Sequence, residues 1–250
     1  LDMPLNDLPP LRLKDTVFST TSAYTTLIRC LGCLLESARC SSGVIINTIQ
    51  DLECFELGKI TNGLGVPIYA IGPLLKIYLG TETSLLAQDQ KCLEWLDKQE
   101  ANSVLYMSLG SLASMIEDEL LERAWSLANS NVPFLWVIRP NSVQSSSSQQ
   151  VRLPDGFEEA ICSRGMVVSW APQQDLLAHR AVGWFWTHCG WNSTLESICE
   201  GVPMICTPRF ADQMINARFV QDVWKIGFEP DSKLEMAVLE CCSVTIKTER

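Results

Sequence analysis

From residue 43 onward, short apolar runs alternate with longer amphipathic ones. The apolar runs GVIINTI (43–49), PIYAIGPL (67–74), SVLYMSLG (103–110), PFLWVIRP (133–140), MVVSWAP (166–172), VGWFWTH (182–188) and PMICTP (203–208) read as strands. Several are apolar nearly throughout, the pattern of strands covered on both faces. Between them, DQKCLEWLDKQ (89–99), EDELLERAWSLANS (117–130), QQDLLAHRA (173–181), STLESICEG (193–201) and ADQMINARFVQDVW (211–224) carry helical spacing. Gly201-Val202-Pro203 ends one helix and launches a strand. This alternation predicts an α/β fold, a parallel sheet wrapped by helices.

The rhythm breaks in three places. The stretch after Gly72-Pro73 has little pattern, and residues 76–88 read as a linker between a segment 1–75 and a main domain over 89–230. NSVQSSSSQQVR (141–152) is polar and of low complexity, an exposed loop. The pattern fades after Phe228, and residues 231–250 read as an atypical tail.

Composition narrows the possible partners. At 47% hydrophobic and 19% charged residues the chain is ordinary folding material. The net charge is −10 with no Lys/Arg cluster, so neither nucleic acid nor an anionic membrane is an expected partner. The most apolar stretch, Ala23 to Ile49, is interrupted by Arg29, Glu36 and Arg39, so no membrane insertion is expected. Eleven cysteines without repeating spacing point to free thiols, a reducing compartment and hence the cytoplasm. Cys30 and Cys33 form a lone CxxC far in sequence from His179 and His188, so it reads as part of an apolar helix, and no metal site is expected. Nothing in the sequence calls for an obligate protein partner.

The chemistry concentrates in THCGWNSTLE (187–196). Placed between a strand and a helix, it lies where open parallel sheets bind ligands. A helix N-terminus presents unpaired N–H groups and the positive end of its dipole, which suits a phosphate. Gly190 allows close backbone approach. His188, Asn192 and Ser193 add side-chain donors. Two other readings stand beside this one. Ser193 and Glu196 match an S-x-x-E capping box. Cys189 could be a nucleophile, although neighbouring strand residues point to opposite faces, which places His188 poorly as its base.

Ser108-Leu109-Gly110-Ser111 follows another strand and is a second phosphate candidate. Neither a dinucleotide fingerprint nor a P-loop occurs, which disfavours plain NAD or ATP sites. Trp170 can stack on a flat base while Gln173 bonds its edge, or it can simply pack at the sheet edge. Asp212 and Gln213 can start a helix or grip sugar hydroxyls.

The 44 residues from Trp170 to Gln213, WAPQQDLLAHRAVGWFWTHCGWNSTLESICEGVPMICTPRFADQ, closely resemble the signature box of plant family 1 UDP-dependent glycosyltransferases. NTIQDLE (47–53), IGPL (71–74), CLEWLDKQ (92–99), VLYMSLGS (104–111), FLWVIRP (134–140) and LPDGFEE (153–159) also look like landmarks of that family. The resemblance implies a GT-B fold with two Rossmann-like domains, of which residues 1–75 would be the end of the acceptor-binding domain and 89–230 the UDP-sugar-binding domain. It implies that Trp170 stacks on uracil, with Ala171 and Gln173 at its edge or the ribose. Glu196 would hold the ribose hydroxyls. His188, Asn192, Ser193 and Ser111 would bind the diphosphate, along the turn made by Cys189 and Gly190, and Trp191, Asp212 and Gln213 would meet the sugar. It further implies inverting transfer of glucose from UDP-glucose to a hydroxyl of a small-molecule acceptor, without a cofactor or metal.

The sequence departs from that family at several points. The family's general-base His and its Asp are expected upstream of Leu1, so the chain reads as a fragment without its own catalytic base and nearly inactive alone. Thr207, Arg209 and Trp184 stand where the family commonly has Trp, an aromatic or small residue, and a small residue.

Overall fold

A computed structural model describes residues 2–19, 24–77, 86–144 and 153–230. The expected tail 231–250, most of the linker and most of the polar loop lie outside the described residues. The chain forms two units, Val17–Thr83 and Leu1–Thr16 with Ser84–Arg250.

The smaller unit contains α1 (Tyr24–Arg39), β1 (Val44–Ile46), α2 (Cys54–Leu64), β2 (Ile68–Ala70) and α3 (Leu74–Ile77). β1 and β2 pair in parallel, with Val44 opposite Ile68 and Ile46 opposite Ala70. Helix α1 carries the CxxC cysteines, both exposed. Gly65 closes α2 in the left-handed conformation, at φ 72°.

The larger unit runs α4 (Lys91–Leu96), β3 (Val104–Ser108), β4 (Met115–Ile116), α5 (Glu117–Asn129), β5 (Phe134–Val137), β6 (Val143–Gln144), α6 (Phe157–Ile161), β7 (Gly165–Val168), α7 (Gln173–Leu177), β8 (Val182–Thr187), α8 (Trp191–Glu200), β9 (Met204–Cys206), α9 (Gln213–Arg218) and β10 (Gly227–Phe228). Six strands form a wholly parallel sheet in the order β10-β9-β8-β3-β5-β7. β4 and β6 make a separate two-stranded parallel ladder.

Both faces of the sheet are covered. Along β3, Val104 and Tyr106 enter one apolar layer with Leu96, Leu135, Leu176 and Phe185. Leu105 and Met107 enter the other with Leu120, Leu127, Trp136 and Trp186. The period-two alternation of a strand places apolar residues on each side, which is why these strands read as continuous apolar runs.

Three expectations need correction. Residues 2–16 do not belong with the rest of segment 1–75. They pack on α9, where Arg12 forms a two-pronged contact with buried Asp15 (2.8 and 2.9 Å) and Arg218 donates from Nε to the Pro10 carbonyl (3.3 Å). The helix expected over 211–224 is α9 followed by a wide turn, Phe219–Val223, in which the Trp224 N–H reaches the Phe219 carbonyl at 2.8 Å. The helix expected from Ser193 starts earlier, at Trp191, with consequences for the site.

Candidate functional site

The loops that leave the carboxyl ends of β3, β7, β8 and β9 bring the candidate residues to one edge of the sheet. After β8 the chain must turn sharply into α8. Cys189 makes the turn at φ 62°, a left-handed conformation that costs a non-glycine residue roughly 1–2 kcal/mol. Its backbone is pinned on both sides. Its N–H donates to Thr187 Oγ1 at 3.1 Å, and its carbonyl accepts from Asn216 Nδ2 at 2.9 Å. The Cys189 thiol is fully buried and touches the Thr187 carbonyl at 3.7 Å. Burial and the neighbouring Cys206 push its pKa well above the ordinary thiol value, and a thiol without exposed surface is poorly placed as a nucleophile.

Helix α8 has Gly190 as its N-cap, and among the described residues no side chain caps it. Its first intrahelical bond is Thr194 N–H to the Gly190 carbonyl at 2.9 Å. The N–H groups of Trp191, Asn192 and Ser193 precede that bond and belong to the turn that attracts anions. Ser193 is therefore the third helical residue, not the cap, and the alternative reading of Ser193 and Glu196 as a capping box does not hold.

His188 sits against this turn, 8% exposed. Its ring is wedged between two glycines. A Cβ on Gly110 would lie 2.4 Å from His188 Cε1, and one on Gly190 would lie 2.5 Å from His188 Nε2. Gly110 also has φ 68°, so it meets both a steric and a backbone requirement. Burial lowers the imidazole pKa to about 4, against the opposing pull of Asp212. His188 is thus neutral at neutral pH, with one ring N–H to give. Among the described residues, its Nδ1 is buried without a hydrogen-bond partner.

Gln173, first residue of α7, ties three elements together. The Tyr106 hydroxyl donates to Gln173 Oε1 at 3.0 Å. The Gln173 Nε2 donates to Ser193 Oγ at 2.9 Å and to Glu196 Oε2 at 2.5 Å, and the carboxylate, which only accepts, orients the amide. Gln174 reaches the other Glu196 oxygen at 3.4 Å. Burial raises the Glu196 pKa, and the hydrogen bonds from Gln173 and Gln174 oppose the rise. Tyr106 is fully buried on β3 and stacks on Phe185, with centroids 4.9 Å apart. Trp170 is half-buried against the apolar layer beneath, and Ala171 is buried.

The loop between β9 and α9 forms another wall. Ala211 takes φ 60°. Gln213 is buried, and its Oε1 accepts the N–H groups of Arg209 (2.9 Å) and Phe210 (3.2 Å). Asp212 is exposed and accepts from Asn216 Nδ2 at 2.9 Å, so Asn216 links it to the Cys189 carbonyl. The Trp191 ring lies beside Trp224, with centroids 6.3 Å apart. Ser111 and Asn192 are exposed at this edge.

Two contributors went unread in the sequence. Tyr106 sits in an apolar strand, where a lone hydroxyl was its only signal. The pairing of Arg209 with Glu119, 2.6 Å across 90 positions of sequence, left no local signal at all.

The protein-family model described as UDP-glucoronosyl and UDP-glucosyl transferase matches residues 78–237. UDP-glycosyltransferase 76B1 of Arabidopsis thaliana is 48% identical over 99% of this chain and 55% of its own length. DIMBOA UDP-glucosyltransferase BX8 of Zea mays is 48% identical over 91% of this chain and 50% of its own. The chain therefore spans about half the length of these curated relatives. Among solved structures, Phytolacca americana UGT2 complexed with UDP-2fluoro-glucose and pterostilbene superimposes with a TM-score of 0.69 at 36% identity, over 85% of this chain and 46% of that one. A UDP-glucose: anthocyanidin 3-O-glucosyltransferase in complex with UDP gives 0.77 at 30% identity, over 99% and 58%. The parallel sheet with helices on both faces is the Rossmann-like domain of the GT-B architecture these proteins share. The chain belongs to the UDP-glucoronosyl and UDP-glucosyl transferase family, among the plant family 1 glycosyltransferases.

Proposed function

We propose that the larger unit holds UDP-glucose for transfer, with inversion, to a hydroxyl of a small-molecule acceptor. The observation that carries this reading is the uncapped first turn of α8 with neutral His188 wedged against it. The diphosphate lies on that turn, along Cys189 and Gly190, and meets His188, Asn192, Ser193 and Ser111. Trp170 stacks on uracil, with Ala171 and Gln173 at its edge. Glu196, oriented by Gln173, accepts from the ribose hydroxyls. Asp212, Gln213 and Trp191 face the sugar. Glucose as donor draws support from the relative named a UDP-glucosyltransferase and from the UDP-2fluoro-glucose bound by the Phytolacca americana protein.

In the transfer, an acceptor oxygen attacks the anomeric carbon as the bond to the UDP oxygen breaks. The charge that develops on UDP falls on the α8 N-terminus and on the His188 N–H. The acceptor proton passes to a base outside the residues of this site. The nine cysteines among the described residues are all free thiols, which supports a reducing compartment such as the cytoplasm. Among the described residues, no helix is long and apolar enough to cross a membrane.

The test is calorimetric titration of the chain with UDP and UDP-glucose. Saturable binding is expected, with Glu196→Ala and His188→Ala each weakening it about tenfold or more, the scale of a charged hydrogen bond. A folded chain that binds neither nucleotide would refute the reading.

A further inference from the structure

The β9–α9 loop carries Asp212 and leads into Gln213, the first residue of α9, yet much of what holds it lies on another element. Gln213 Oε1 folds the loop back by accepting from the Arg209 and Phe210 N–H groups. Thr207 anchors its start, with the Thr207 N–H on the Thr187 carbonyl (2.9 Å) and the Trp186 indole N–H on Thr207 Oγ1 (3.2 Å). Arg209 then reaches across to α5, where its Nη1 meets Glu119 Oε1 at 2.6 Å. The other Glu119 oxygen accepts the Ile116 N–H at 3.2 Å, so one carboxylate caps α5 and binds the loop together.

The pair is mostly sheltered, with side-chain exposures of 20% for Arg209 and 30% for Glu119. Arg209 Nε and Nη2 are buried without hydrogen-bond partners, which leaves Glu119 as the acceptor its guanidinium has among the described residues. Removing Glu119 would strand a mostly buried cation, a costly state that the loop would relieve by moving. Ala211, two residues on, takes the left-handed conformation at φ 60°, which a non-glycine residue holds only when its surroundings fix it.

We propose that Arg209 and Glu119 are positioning residues that lock the β9–α9 loop against α5, and so set affinity for the sugar half of the donor without touching it. This rests on the UDP-glucose reading above. The uridine and diphosphate contacts of that reading lie on the turns before α7 and α8, on those helices and on the loop after β3, so the lock acts on the Asp212–Gln213 side of the sugar and not on the nucleotide.

The experiment compares UDP with UDP-glucose on the whole chain by calorimetry. Arg209→Met and the near-isosteric Glu119→Gln should each weaken UDP-glucose about tenfold while changing UDP by less than about twofold. Arg209→Lys, which keeps the charge, should recover part of the loss. Amide exchange at residues 210–213 should quicken in both disruptive variants. A merely structural role would move both affinities together, and that result overturns the proposal, as does unchanged exchange. Should the unaltered chain bind neither nucleotide, the donor reading fails and takes this inference with it. UDP-glucose affinity that holds in Glu119→Gln overturns the lock alone and leaves the donor reading standing.

Discussion

The His188 imidazole fits its place only because two neighbouring positions lack a side chain. Gly190 is the cleaner of the two to test. It has φ −61°, so alanine meets no backbone strain there, and the three nearest atoms in its way belong to His188. Gly190→Ala should therefore cost about 1–3 kcal/mol from overpacking against the ring. It should also lose donor binding, because the ring must move. In a His188→Ala background the obstacle is gone. The same substitution should then cost only the difference between Gly and Ala at an N-cap, about 0.5–1 kcal/mol. Urea denaturation of the four proteins measures the coupling directly. Equal costs in the two backgrounds would mean that the ring is not what Gly190 accommodates. Part of this was legible in THCGWNSTLE, where a His and a Gly beside a helix start already pointed to an anion. The neutral state of His188 was not, because it depends on burial that only the assembled loops supply.

At the scale of elements, legibility followed length and burial. β3, β5 and β8 were readable because each is apolar through both faces. β4, β6 and β10 span two residues each, too short to show any period. The start of α8 was misplaced because a glycine, not the serine of an apparent capping box, is its N-cap. The end of α5 shows an interaction that no local pattern announces. Arg164, 35 residues beyond Asn129, donates from Nη1 to the carbonyls of Leu127 (3.1 Å) and Val132 (3.0 Å), and from Nη2 to Ala128 (2.7 Å). The first turn of the same helix holds Glu117, Asp118 and Glu119, so charge complements the dipole at both ends. Arg164→Ala leaves these carbonyls without that donor, and a loss of about 1–3 kcal/mol in unfolding free energy is expected. Arg164→Lys should retain part of it, since an ammonium reaches fewer of the three oxygens at once. A change under about 0.3 kcal/mol in Arg164→Ala would show that water replaces the guanidinium without cost.

For the whole molecule, the proposed reading divides the labour between holding a donor and accepting a proton. The chain has two histidines. His188 is buried, neutral and committed to the α8 turn. His179 accepts the Ala181 N–H at Nδ1 (3.2 Å) and faces Asp97 through Nε2 (3.2 Å), ahead of β8 and so at the opposite edge of the sheet from the site. Neither is placed to take a proton from an acceptor lying against the donor sugar where that sugar is proposed to sit. Curated relatives are about twice as long as this chain, which leaves room for a base on the part of them it does not match. A missing general base typically lowers a rate about 10²–10⁴-fold, and lost positioning of the acceptor adds to that. The 250-residue chain, titrated to saturation with UDP-glucose and supplied with a phenolic acceptor, should accordingly release UDP at least about a hundredfold more slowly than the same chain joined to the upstream half of a relative. Its UDP affinity should match that of the joined protein, because the nucleotide contacts proposed above lie within the larger unit. Equal rates in the two proteins would place a base inside these residues and reopen the assignment of both histidines.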